Sequence, residues 1–370
     1  MFDVADLVSE IFISMLKLIS LPIVFLSIFS TLSGLCDFSE FKILIRKVLF
    51  YTLMTTVLAA VISLVLYILI NPVDRSLSLD EISQHNLSGH NYSSYLLHII
   101  PTNVVQVFLD NNIIGVIIIA FMMGLASLGL EDEKRRLLNG FFTALFELIL
   151  QVTQLILKLL PLAIWAFILS FLHNLETSEE VNSIILYICC IALANFIQAC
   201  IVLPVLLKVH GISAIETFKG SSSALTLAFF SKSSGATLPT TLKCAQCNLG
   251  VSQKVSSFSL PICSTINMNA CAAFILITVL FVSEMHGYSF SAMDFIMWIF
   301  LSVAAAIGNA GVPMGCYFMA TTYLIAMGVP LNIMGLILPL YSILDMFETS
   351  INVWSDLCVT RIIDRSVKKS

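Results

Sequence analysis

Apolar residues run along this chain in blocks too long for strands and too continuous for the faces of surface helices. Near residues 8–34, 48–70, 113–130, 140–172, 183–207, 255–283 and 330–360, the blocks are long enough for helices that cross the roughly 30 Å hydrocarbon core of a bilayer. Two further segments, 213–245 and 290–326, are apolar but interrupted by Ser, Gly and Pro. They are too broken for ordinary spans and too hydrophobic for loops. Non-helical backbone at membrane depth is tolerated only where protein or a water-filled cavity surrounds it, so both segments predict re-entrant elements lining a substrate site.

The last apolar block carries a second pattern. From Asp345 the chain reads Asp-Met-Phe-Glu-Thr-Ser-Ile-Asn-Val-Trp-Ser-Asp, with polar groups at Asp345, Glu348, Thr349, Asn352 and Asp356. At about 100° per residue these five fall in one helical stripe roughly 100° wide. Hydroxyl and amide groups alone would read as a polar seam between helices. Three carboxylates change that reading, because each costs at least about 2.5 kcal/mol inside a membrane and such residues mark ion or substrate pathways.

Composition agrees with a lipid solvent: 58% of the 370 residues are hydrophobic, 11% are charged, and mean hydropathy is +0.98. Soluble chains carry about 25% charged residues, which excludes a soluble enzyme. The net charge of -5 says little about partners. No Ser/His/Asp or His-rich constellation points to membrane-bound catalysis, and nothing points to nucleic acid. The ten cysteines are scattered, mostly inside apolar runs, and read as buried thiols rather than a disulfide framework. Cys244 and Cys247 form a pair on one helical turn, without a second Cys/His pair at zinc-site spacing.

Short cytoplasmic loops are enriched in Lys and Arg. Lys42, Arg46 and Lys47 place the first connection inside, 71–95 lies outside, and the run Glu131–Arg136 returns inside. Segment 173–182 is then outside, Lys208 and Lys219 inside, and 284–292 outside. Arg361, Arg365, Lys368 and Lys369 leave the C-terminus in the cytoplasm.

Three more patches carry chemistry. In Ser231-Lys-Ser-Ser-Gly-Ala-Thr-Leu-Pro239 a helix should break at the small residues and restart near Thr237 or Pro239, offering free N–H groups and hydroxyls to a carboxylate. Thr265-Ile-Asn-Met-Asn-Ala-Cys271 sets amides and a hydroxyl inside an apolar span, and Gly308-Asn-Ala-Gly-Val-Pro-Met-Gly315 breaks the second segment. Oxygen ligands from such unwound backbone suit Na⁺.

Together with Leu97-His-Ile-Ile-Pro-Thr-Asn103, these patches resemble the dicarboxylate/amino acid:cation symporter family, the glutamate-transporter homologues. The resemblance covers nearly the whole chain and implies an all-α, multi-spanning membrane protein with two re-entrant helical hairpins. It implies a secondary active transporter, not an enzyme, working by alternating access as a homotrimer with Na⁺ and no organic cofactor. Residues 1–212 would supply scaffold, trimerisation and early transport-domain helices, and 213–370 the transport core. Family members have one more helix before the first one here. The cell membrane is the expected location, as in a bacterial inner membrane.

By the same resemblance, Asp345 would hold a substrate ammonium. Asn352, Ser233 and Ser234, with Thr349 and the Val312 carbonyl, would hold its carboxylate. Asp356 would ligate one Na⁺ with Asn267, while Thr265, Ala306, Ile307 and Asn309 would offer carbonyls to another. Thr55 and Thr56 match a third Na⁺ site, in which the family's usual Asp is Asn269.

Acidic-substrate members carry Arg where this chain has Glu348, which would repel a side-chain carboxylate. The pattern is closer to bacterial sodium/serine-threonine symporters, so a small hydroxylated amino acid is the expected substrate. Lys232 is expected to neutralise Glu348 or Asp345 as a buried pair. If it turns away, Glu348 could recognise a cationic amino acid. An acidic amino acid or dicarboxylate symporter of the same family, or an ion channel, are the alternatives.

Overall fold

The computed structural model describes residues 2–33, 42–73, 103–109, 113–159, 161–162, 165–166, 169, 178–309 and 314–368, and among them there is no strand. The chain opens with α1 (Phe2–Ser33), α2 (Lys42–Ile70), the short α3 (Val104–Leu109), α4 (Ile113–Ser127) and α5 (Asp132–Leu157). Helix α6 (Ser178–Ile197) passes through a π turn at Gln198–Val202 into α7 (Leu203–Val209). The π turn precedes Pro204, which lacks the N–H a regular ladder needs.

The first interrupted segment is a helical hairpin. Helix α8 (Ala214–Ser231) ends where Lys232 turns left-handed at φ 53°, and α9 (Ser234–Lys243) starts at once. Ser233 is extended and its Oγ accepts from Ala236 N at 3.2 Å, so this side chain is the N-cap. The helix therefore restarts several residues before the expected Thr237 or Pro239: a capping serine outranks a proline as a start signal, and Pro239 lies inside α9. The second interrupted segment gives α12 (Ala292–Gly308) and α13 (Gly315–Ala326). Its tip, including Val312, lies outside the described residues, as does 97–102 of the Leu97–Asn103 motif.

Between the hairpins, α10 (Gln253–Ile266) and α11 (Asn269–Met285) form one span broken at Asn267 and Met268. The apolar window along it is 94% buried, which makes this span the interior of the fold. Helix α11 is apolar all round, and such a helix finds its place among other helices: α2, α6, α12, α13 and the last helix all pack on it.

Helix α14 (Asn332–Lys368) closes the chain; its 37 residues, at about 1.5 Å each, exceed the thickness of the hydrocarbon core. The predicted stripe is real: Asp345, Glu348, Thr349, Asn352 and Asp356 are all buried, whereas Ile343 and Phe347 are exposed. At its charged end, Asp364 accepts from Ser252 N and Oγ at 3.1 and 2.7 Å, and Arg361 donates to Thr217 Oγ1. These contacts tie α14 to the first turn of α8 and to the turn before α10.

Candidate substrate and ion site

The site is built where interrupted helices meet the α14 stripe. A helix that stops inside the protein leaves its terminal N–H or C=O groups without intrahelical partners. Helices α9 and α11 begin here with positive dipole ends, and α10 and α12 end here with free carbonyls. The α9–α14 and α10–α12 pairs are in contact.

Asn352 caps α11: its Oδ1 accepts from Ala270 N at 3.0 Å. Its Nδ2 lies 3.3 Å from Cys271 Sγ and 3.5 Å from Met268 Sδ. Asp345 reaches the second hairpin, where Oδ2 accepts from Met314 N at 3.2 Å. The Tyr341 hydroxyl lies 3.3 Å from Asp345 Oδ1 and 3.4 Å from Glu348 Oε2, so its single proton serves two carboxylates. Glu348 is 1% exposed, and its Oε1 has no hydrogen-bond partner among the described residues.

The expected Lys232 pairing does not occur. Lys232 Nζ donates to Ser342 Oγ at 2.8 Å, and no ion pair to Asp345 or Glu348 is present among the described residues. A half-buried ammonium on a flexible stem keeps its head on a hydroxyl near the surface rather than following a carboxylate into the core.

One turn further along the stripe a continuous polar network crosses the interior. Asn267 Nδ2 donates to Asp356 Oδ1 and Ser355 Oγ, both at 2.9 Å, and its Oδ1 accepts from Thr55 Oγ1 at 3.0 Å. Asn269 Nδ2 donates to Ser355 Oγ at 2.6 Å and its Oδ1 accepts from Thr56 Oγ1 at 2.8 Å. Thus Thr55, Thr56, Asn267 and Asp356 are brought together, with Asn269 and Ser355 between them. Thr265 stands in the last turn of α10; Ala306 and Ile307 stand in the last turn of α12, with Asn309 just after it. The Ala306 carbonyl accepts from Asn309 N at 3.2 Å. Ser234 is buried at the start of α9, and Thr349 is buried on the stripe.

Three residues of the site escaped the sequence reading. Tyr341 lies one turn before Asp345, and its i, i+4 spacing was the available signal. Cys271 and Cys316, read as separate buried thiols, are joined as a disulfide between α11 and α13 with Cα atoms 5.4 Å apart. Only the approach of those two helices reveals the pair.

Helices of this length and apolarity, hairpins that stop at depth, and buried carboxylates facing free helix ends define a membrane transporter. The model of the sodium:dicarboxylate symporter family matches residues 1–366, and the chain belongs to that family: it is a sodium-coupled symporter, not an enzyme. It is 26% identical to excitatory amino acid transporter 3 of Homo sapiens, over 97% of this chain and 79% of that protein. An uncharacterized symporter of Haemophilus influenzae is 27% identical over 99% of this chain and 87% of its own length. A putative sodium-dependent excitatory amino acid transporter of Caenorhabditis elegans is 24% identical over 97% of this chain and 73% of its length.

Proposed function

We propose that the chain couples Na⁺ to the transport of an amino acid without a side-chain carboxylate, with a small hydroxylated amino acid of the serine or threonine class as first substrate. Glu348 carries this reading: it is a buried carboxylate on the polar stripe of α14, and no cation pairs with it among the described residues. A second carboxylate about 4 Å away would be opposed by about 4 kcal/mol at an effective dielectric near 20, a binding penalty near a thousandfold.

In this scheme Asp345 receives the substrate ammonium. A carboxylate has about four lone-pair sites, so the bonds from Met314 and Tyr341 leave room for that donor. Asn352 Nδ2 and the hydroxyls of Ser233, Ser234 and Thr349 donate to the α-carboxylate, while the Val312 carbonyl, an acceptor, takes a substrate N–H. Asp356 and Asn267 hold one Na⁺; carbonyls of Thr265, Ala306, Ile307 and Asn309 hold another; Thr55 and Thr56 belong to a third site beside Asn269.

One observation favours a second reading, a cationic amino acid: with Lys232 on Ser342, no protein cation reaches Glu348 among the described residues, which leaves that carboxyl group for a substrate cation. Uptake into proteoliposomes under a Na⁺ gradient, with Ser, Thr, Ala, Arg and Asp compared, decides. Saturable, Na⁺-dependent uptake of Ser or Thr is expected. Preference for Arg selects the second reading, and preference for Asp sinks both.

The assembly we propose is a homotrimer in the cell membrane with a cytoplasmic C-terminus, residues 1–212 serving chiefly as scaffold and 213–370 as the moving transport core. The Lys and Arg distribution supports the orientation. Mass measurement and cross-linking in mild detergent should give trimers; monomers alone would refute the assembly.

A further inference from the structure

Cys271, Cys316 and Glu348 come from three elements, the starts of α11 and α13 and the middle of α14, and their ligand atoms lie within 4.8 Å of one another. All three are buried. Glu348 supplies a carboxylate oxygen to this cluster, and its Oε1 is buried without a hydrogen-bond partner among the described residues. Asn309 Nδ2 lies 3.3 Å from both sulfurs, and its own Oδ1 is buried without a partner among the described residues. The Na⁺ network through Asn267, Ser355 and Asp356 uses neither cysteine.

When the disulfide is reduced, a phosphine and one water become the phosphine oxide and the water's two protons go to the sulfurs, or a dithiol gives up its two thiol protons and becomes a disulfide; either way two thiols remain beside a carboxylate. Two thiolates and a carboxylate are a ligand set for a d¹⁰ divalent cation. Zn–S distances near 2.3 Å in tetrahedral geometry put two sulfurs about 3.8 Å apart, within the span of this cluster. Thiolate ligands also select such a cation over Na⁺, which prefers hard oxygens. We propose that the reduced Cys271–Cys316 pair and Glu348 form a site for a thiophilic divalent cation such as Zn²⁺ or Cd²⁺. Binding releases the two thiol protons and transfers no electrons.

Such an ion would fasten the second hairpin to the broken span and to α14. It would also occupy space beside Asn352 and Glu348, so it should compete with substrate; that consequence, unlike the site itself, rests on the substrate reading above.

The test uses full-length protein in detergent in which every cysteine except Cys271 and Cys316 is serine, reduced with a phosphine that is then removed. Cd²⁺ titration should produce a thiolate-to-metal ultraviolet band saturating at one equivalent. The band should vanish in Cys271→Ser and in Cys316→Ser. In Glu348→Gln it should persist with affinity weaker by about tenfold or more, since even outer-shell changes at metal sites cost that much. Na⁺-dependent thermal stabilisation shows that each variant is folded. No band, two thiols that cannot be freed by reductant, or unchanged affinity in Glu348→Gln overturns the site. In proteoliposomes Cd²⁺ should inhibit uptake in competition with substrate. A stoichiometric band without inhibition refutes the overlap with the substrate pocket and leaves the metal site standing.

Discussion

Asp345 accepts a hydrogen bond from the backbone N–H of Met314 at 3.2 Å, joining the middle of the last helix to the foot of α13. Met314 stands at φ 60°, a left-handed conformation that non-glycine residues adopt at some cost. The carboxylate thus stabilises a turn that begins the second arm of a hairpin. If Asp345 receives the substrate ammonium as proposed, substrate binding and the seating of that hairpin share one group.

Asparagine at position 345 keeps an oxygen for the Met314 N–H but loses the charge. Asp345→Asn should therefore abolish substrate binding while sparing Na⁺ binding. Asp356→Asn acts elsewhere, on the network through Asn267 and Ser355, and should raise the Na⁺ concentration for half-maximal uptake by about tenfold, near 1.4 kcal/mol. Uptake and Na⁺-induced thermal shifts measured on both variants separate the two effects. Normal uptake by both would remove these residues from the mechanism.

Asn269 bridges Thr56 and Ser355 in a position where relatives' charge is expected. Asn269→Asp keeps acceptors for both hydroxyls and adds a negative charge that a cation can neutralise. Uptake by this variant should depend more steeply on Na⁺ and reach half-maximum at lower Na⁺. An unchanged Hill slope and midpoint would show that the Thr55 and Thr56 region does not hold Na⁺.

Gly315 is required by its neighbour rather than by its own conformation. A Cβ there would lie 1.5 Å from Asn309 Oδ1 and 2.6 Å from its Cγ. Asn309 is hemmed in by Cys271 and Cys316 and has little room to yield. Gly315→Ala should cost about 1–3 kcal/mol, the usual range for an overpacked core, read as a lower melting temperature in detergent. Adding Asn309→Ala should recover part of the loss, because the clash is between those two side chains.

Much of this was legible in the sequence for a simple reason. A stripe such as Asp345 to Asp356 needs only helical geometry, and the burial of those residues beside exposed Ile343 and Phe347 follows from it. The breaks at Ser231–Gly235 and Asn267–Met268 were visible because small and amide residues interrupt apolar runs. What could not be read depends on where distant elements meet. Lys232 finds Ser342 across 110 positions and Cys271 finds Cys316 across 45, and no local pattern sets either partner. The start of α9 was misplaced because Pro239 drew the reading away from the Ser233 cap.

In the proposed scheme Glu348 sets the substrate class, and a single substitution tests it. In the wild type its Oε2 lies 3.4 Å from the Tyr341 hydroxyl, its Oε1 has no hydrogen-bond partner among the described residues, and a carboxylate oxygen lies within 4.8 Å of the Cys271 and Cys316 sulfurs. Glu348→Gln removes the charge at constant shape. If the substrate is serine or threonine, this variant should keep measurable uptake and lose most of its discrimination against aspartate. If the substrate is arginine or lysine, the same change should cost roughly 1.5–3 kcal/mol of binding, the scale of a hydrogen bond to a charged group. Glu348→Arg goes further: the guanidinium can grip a carboxylate through two parallel N–H bonds, and aspartate should then be taken up at the expense of serine. Lys232 provides a comparison, since its Nζ donates to Ser342 Oγ rather than to Glu348, and Lys232→Met should leave the selectivity order unchanged. Competition of each amino acid against radiolabelled substrate in proteoliposomes reads all three variants. An Arg variant that still rejects aspartate, in protein whose Na⁺-induced thermal shift is intact, would show that position 348 does not set the charge of the substrate.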